Sequence, residues 1–211
     1  TLAATAVITD GGATNIFTIA GSTVFVVLAT FPTVFETVSL ASTSTVRYQA
    51  NGAQSIYNVA SPGYGTLQLY ATTPGTATTK TALGDIFLQI GVTLGVNGTD
   101  NNVTLQMNNN NMTLAGTSFI QQTGAPQVNW GTGTMTQNGT GWSIDADITG
   151  FNNLVLGGTG IKLMQSNLNL ILGNVTVQNG ATLSMQTFTL TCTGASKVLT
   201  LQSGSTLTCA L

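Results

Sequence analysis

The chain has 211 residues, of which 5% are charged, against about 25% in an ordinary globular domain. It has no histidine, four Lys+Arg, six Asp+Glu and a net charge of -2. These numbers exclude a phosphate-neutralising basic face, histidine-dependent catalysis or metal ligation, and a charge-laced helical bundle.

Charge is replaced by hydroxyls and amides: threonine alone supplies 39 residues and asparagine 18. Threonine favours strands, while glycine and asparagine favour turns. The hydrophobic fraction of 42% is ample for a packed core. Cytosolic proteins usually hold copies apart by net charge. A chain that does not is expected outside the cell, at its surface. The start at Thr1 fits removal of an export leader, as it would fit a chain boundary of another origin.

Apolar residues at helical spacing with charged partners are missing, so the expected fold class is all-β. Residues 1–12 open as an uncharged strand-like arm before Gly11 and Gly12, able to donate a strand to a neighbouring subunit. Residues 13–85 form an irregular β region, expected as irregular coils or a small β-sandwich. Its apolar run 24–29 is far shorter than the ~20 residues of a membrane span, so it is expected as a buried strand. Runs 37–40 and 66–70 also alternate as strands, and 71–79 is loop-like. With no Pro-rich or charged linker between the halves, one continuous body is favoured.

From residue 86 to 211 the runs repeat. Leu154 and Leu156 rhyme with Val175 and Val177, and residues 199–209 rhyme with 175–185 at an offset of 24. Leu168, Leu170 and Leu172 rhyme with Phe188, Leu190 and Cys192, while residues 102–106 repeat 174–178 at a distance of 72. A drifting period of 20–24 residues is that of a parallel β-solenoid, whose single coil cannot bury its inner face alone.

Asp145 and Asp147 are the only paired carboxylates, projecting from one outer strand face about 7 Å apart. Solvated aspartates are the leading reading, a calcium site the second and catalysis the third. Asp85 sits beside turn-forming residues and is expected to bond backbone N–H groups. Asn-X-Ser/Thr sequons lie at Asn97, Asn102, Asn111, Asn138 and Asn174. Each is a candidate acceptor of N-linked glycan in an exported chain. Cys192 and Cys209 follow an alternation that turns both inward. A disulfide between them is expected, with free buried thiols as the other reading. No cofactor site is expected.

The repeats over 86–211 resemble the parallel β-helix proteins of bacterial and archaeal surfaces, including adhesin passengers and filamentous surface proteins. The resemblance implies a secreted scaffold with long strand ladders and transfers no catalytic residue. The terminal segments 1–9 and 205–211 read as strands without polar caps. Open ladders of this kind pair with further copies head to tail. The expected function is a non-enzymatic subunit of an extracellular filament or surface assembly, with itself as partner. An adhesin or glycan-binding β-helix acting on cell surfaces is the alternative, and a polysaccharide-active enzyme the third.

Overall fold

Short runs in which Val, Leu, Ile or Met alternate with Thr, Ser or Asn cannot bury a helical stripe, but they fit a pleated surface that is apolar on one side. In the computed structural model, which describes residues 15–73, 75–95, 102–121, 127–144 and 150–210, these runs form strands throughout. Strands β1 to β7 are Ile16–Ile19, Val24–Val27, Thr37–Leu40, Thr45–Gln49, Gln54–Ile56, Tyr64–Tyr70 and Thr78–Ala82. Strands β8 to β14 are Ile86–Leu94, Val103–Gln106, Met112–Leu114, Ser118–Gln121, Gln127–Asn129, Thr134–Gln137 and Trp142–Ile144. Strands β15 to β22 are Asn153–Leu156, Gly160–Met164, Leu168–Ile171, Val175–Val177, Ala181–Gln186, Leu190–Cys192, Leu199–Leu201 and Thr206–Cys209. No helix occurs among the described residues, so none is long and apolar enough to cross a membrane.

The strands stack as a parallel β-solenoid of about eight turns. One face is the ladder β2-β4-β6-β8-β10-β13-β15-β18-β21, with β11 beside the second half of β8. The other faces are β5-β7-β9-β12 and β14-β16-β19-β22, with two-stranded pairs β1-β3 and β17-β20. Leu67 of β6 pairs with Val92 of β8, so the ladder crosses residue 85 without a break. The N-terminal strands are therefore coils of the same solenoid, and the sandwich alternative is not realised.

The inner row of the main face includes Val46, Leu67, Val92, Leu114, Met135, Leu154 and Val175, all buried. Each such side chain contributes on the order of 1.5–3 kcal/mol. Polar side chains tie successive coils outside this row. Asp85 Oδ1 accepts the N–H of Asn111 at 2.8 Å, and Asn111 Oδ1 accepts that of Thr134 at 3.0 Å. Asn153 Oδ1 accepts from Asn174 at 3.0 Å, and Asn174 Oδ1 from Val198 at 3.1 Å. Asp85 thus bonds across coils.

Two of the repeat correspondences differ from the sequence reading. Residues 102–106 enter β9, on a different face from β18, so their likeness to 174–178 is not one of position in the coil. Leu168 pairs with Leu190, two residues beyond the expected Phe188, because Met185–Thr187 turns the corner there and Phe188 N–H bonds back to Met185. The register steps also spread more widely than 20–24 residues. Ile86 to Met112 is 26 and Thr134 to Asn153 is 19, since turns absorb or lose residues while strands keep their pairing.

Candidate functional site

A row of apolar side chains is buried only if a coil lies on both sides of it. At the far end of the ladder, β21 and β22 have a neighbour on one side only. Leu199 and Leu201 point to the inner side, in register with Val175 and Val177. They are 37% and 46% exposed, whereas their partners are fully buried. Val198 is also exposed, and Leu207 of β22 is half-buried against Leu183. The N–H and C=O groups along the outer edges of β21 and β22 are those a further parallel strand would take.

The opposite end is aromatic. Phe17 of β1 lies 5.1 Å from Phe25 of β2 by ring centroids, 5.7 Å from Phe31 and 5.2 Å from Phe35. Phe31 stacks on Tyr57 at 5.0 Å. Phe17, Phe25 and Phe35 remain half-buried, and Ile16 and Val24 are exposed beside them. Both ends of the described solenoid therefore carry partly exposed apolar side chains, with one exposed charge beside each, Glu36 next to Phe35 and Lys197 next to Val198.

The carboxylates Asp145 and Asp147 lie outside the described residues, as does Asn97. Among the described residues no three of His, Cys, Asp and Glu come together. Asn102, Asn111, Asn138 and Asn174 are exposed. Asn102 Nδ2 donates to the Gly75 carbonyl at 2.8 Å and Asn111 Nδ2 to Asp85 Oδ2 at 3.4 Å, so the nitrogen a glycan would be joined to already bonds between coils at both.

The expected disulfide is not formed: both thiols are free, Cys192 half-buried and Cys209 exposed. Two features separate them. Cys192 belongs to β20, paired with β17, whereas Cys209 belongs to β22, paired with β19. A register shift between Ser184 and Gln186 then sets Cys209 opposite Gln186, away from the inward row.

Among the described residues, the polar groups buried inside the solenoid include a tyrosine pair and two lysines. Tyr57 N–H donates to Tyr48 Oη at 2.9 Å, Tyr48 Oη lies 3.2 Å from Tyr64 Oη, and Tyr64 Oη donates to the Tyr57 carbonyl at 2.5 Å. Burial raises the pKa of both Tyr48 and Tyr64 well above the usual phenol value. Lys80 Nζ donates to Gln54 Oε1 at 2.6 Å and to the Ala50 carbonyl at 2.8 Å. Lys162 Nζ donates to the carbonyls of Gly139 and Thr159. Burial lowers the Lys162 pKa to about 8. The signal that places both lysines was parity: Lys80 alternates with inward Thr78 and Ala82, and Lys162 with inward Met164.

A groove of about 450 Å³ opens on the main face beside β8, lined by Ser42, Pro62, Phe87, Gln89, Ile90 and Thr113 among others. Comparison with protein-family models, with curated proteins and with solved structures finds no match for the chain. What the molecule defines is its class, a parallel β-solenoid.

Proposed function

We propose that the chain is a non-enzymatic structural subunit of an extracellular filament or surface assembly, built by head-to-tail stacking of coils on further copies of itself. The carrying observation is the contrast between exposed Leu199 and Leu201 and their buried partners Val175 and Val177. A second copy whose first coil continues the parallel ladder would cover the leucines and satisfy the strand edge together. The aromatic end, with Phe17, Phe25 and exposed Val24, offers the apolar surface for that contact. A body with a net charge of -2 offers little repulsion against it. The extracellular setting rests on the same charge-poor, hydroxyl-rich surface.

Sedimentation velocity over a range of concentrations, with negative-stain microscopy of the same samples, tests this. Linear oligomers that lengthen with concentration and persist at high salt are expected, because screened ion pairs do not hold them. A chain that stays monomeric at high concentration overturns the reading.

A glycan-binding role is favoured by one observation, the uncharged groove at β8. Its Phe87 ring, Gln89 amide and Ser42 and Thr113 hydroxyls supply the apolar face and hydrogen bonds a sugar ring uses. Retention on immobilised polysaccharide that is lost in Phe87→Ala would support it.

A further inference from the structure

On the outer side of the main face, Thr45, Arg47 and Gln49 of β4 stand directly beside Thr66, Gln68 and Tyr70 of β6, as partners in that order. All six are half-buried, while the residues between them, among them Val46, Tyr48 and Leu67, fill the core. Alternation thus sets out a flat lattice of hydroxyls and amides, with about 4.8 Å between coils and about 7 Å along each strand. One of the six is charged, and it is the only arginine of the chain.

Arg47 is held on two sides. Its Nε donates to Gln68 Oε1 at 2.8 Å, and its Cζ lies 5.0 Å from the centroid of the Tyr70 ring. The hydrogen bond fixes the direction of the guanidinium and the ring supports one face of it, so the side chain is ordered before any ligand arrives. With Nε committed, the Nη1 and Nη2 end carries the remaining donors, in the fork that matches a carboxylate. Among the described residues no carboxylate pairs with it. Gln68 turns its oxygen to Arg47, which leaves its Nε2 as a further donor beside the fork.

We infer that this lattice binds an acidic sugar, a uronate unit of a polysaccharide, with its carboxylate on the Arg47 fork. The pairing is bidentate and charge-assisted, and the guanidinium sheds its water more readily than an ammonium would. The hydroxyls of Thr45 and Thr66 and the amides of Gln49 and Gln68 both donate and accept, as the hydroxyls of a sugar ring do. A flat face lets such a ring lie against it. An extended acidic peptide would instead seek an open strand edge, and β4 and β6 are paired on both sides. None of these residues lines the groove at β8, so this site stands or falls apart from the glycan reading of that groove.

The test is calorimetric titration of the full chain with trigalacturonate, its methyl ester, a sulfated trisaccharide and a triglutamate peptide. Trigalacturonate should bind, and the ester, which has the same rings without the charge, should not. That comparison needs no variant to fold. Arg47→Lys keeps the charge and loses the fork, and should weaken binding about tenfold to a hundredfold. Arg47→Gln should abolish it. Gln68→Leu removes no charge but frees the guanidinium, and should weaken binding severalfold. No binding of trigalacturonate would overturn the proposal, as would equal binding of the ester. Wild-type affinity in Arg47→Lys would show that a point charge suffices and that the fork is not the site. Equal binding of the sulfated trisaccharide or of triglutamate would overturn the assignment to a carboxylate-bearing sugar.

Discussion

Val177 and Leu201 are partners in neighbouring coils of the main face, yet Val177 is fully buried and Leu201 is 46% exposed. The two positions have the same parity, the same sheet and nearly the same chemistry. They differ in whether a coil lies on the far side.

From that difference follows a paired substitution. Leu201→Asp places a charge where the chain is already open to water, so the fold should survive with its melting temperature changed by a few degrees at most. The same charge at Val177 enters a closed core, costs several kcal/mol and should unfold the molecule. If copies stack end to end, Leu201→Asp should also leave monomers in sedimentation where wild type forms oligomers. Oligomers unchanged by Leu201→Asp would remove this end from the contact.

Coil-to-coil bonding should be measurable at Asn153, whose Oδ1 accepts the Asn174 N–H at 3.0 Å. Asn153→Ala deletes the acceptor and should lower stability by about 0.5–1.5 kcal/mol. Asn153→Asp keeps an acceptor oxygen and should stay within a few tenths of wild type. Urea unfolding midpoints of the three proteins decide it. Equal losses in both variants would mean that the oxygen contributes nothing.

Most of the fold was legible because alternation reports burial directly. The alternating Val175, Val177 and Leu183 are buried, and the offsets that align 154–156 with 175–177 and 199–201 are the observed registers. Alternation does not say which face of the coil a strand occupies. Residues 102–106 and 174–178 share a pattern and lie on different sheets. Nor does it see a bulge, and the shift between Ser184 and Gln186 is what turned Cys209 outward. The open end was read only as a missing cap. The buried lysines run against the usual exposure of that residue type, and parity alone marks them. In Thr78–Ala82 the pattern sets Lys80 inside with its neighbours two residues away.

Glycine substitutions should separate turn geometry from mere turn composition. Gly160 has φ +81°, and a Cβ there would sit 1.7 Å from the Thr140 carbonyl oxygen, a backbone atom of the preceding coil. Gly160→Ala must therefore shift one coil against another as well as strain its own backbone, and should cost more than about 1–3 kcal/mol. Gly52 lies in a turn with open space around its Cβ position and no positive φ. Gly52→Ala should be neutral or stabilise by up to about 1 kcal/mol. Thermal unfolding of both would expose an error if Gly160→Ala melted with wild type.

The last expectation concerns pH. Lys162 is buried in β16, and burial lowers its pKa from 10.5 to about 8. In the unfolded chain the same amine keeps its proton up to about its ordinary value of 10.5. Between these limits the unfolded state binds more protons than the folded one, so this group makes stability rise with pH. Below pH 8 both states are protonated, and the cost of burying the charge is present in full and constant. Lys162→Met removes the titration and the bonds to Gly139 and Thr159 together, but the loss of those bonds does not vary across the window in the same way. The measurable quantity is the stability of wild type minus that of Lys162→Met, from urea unfolding at a series of pH values. It should be flat below about pH 8 and climb from there toward 10.5, with Tyr48, Tyr64 and Lys80 cancelling because both proteins carry them. A difference that stays level through that window, or falls, would show that Lys162 keeps its proton inside the solenoid.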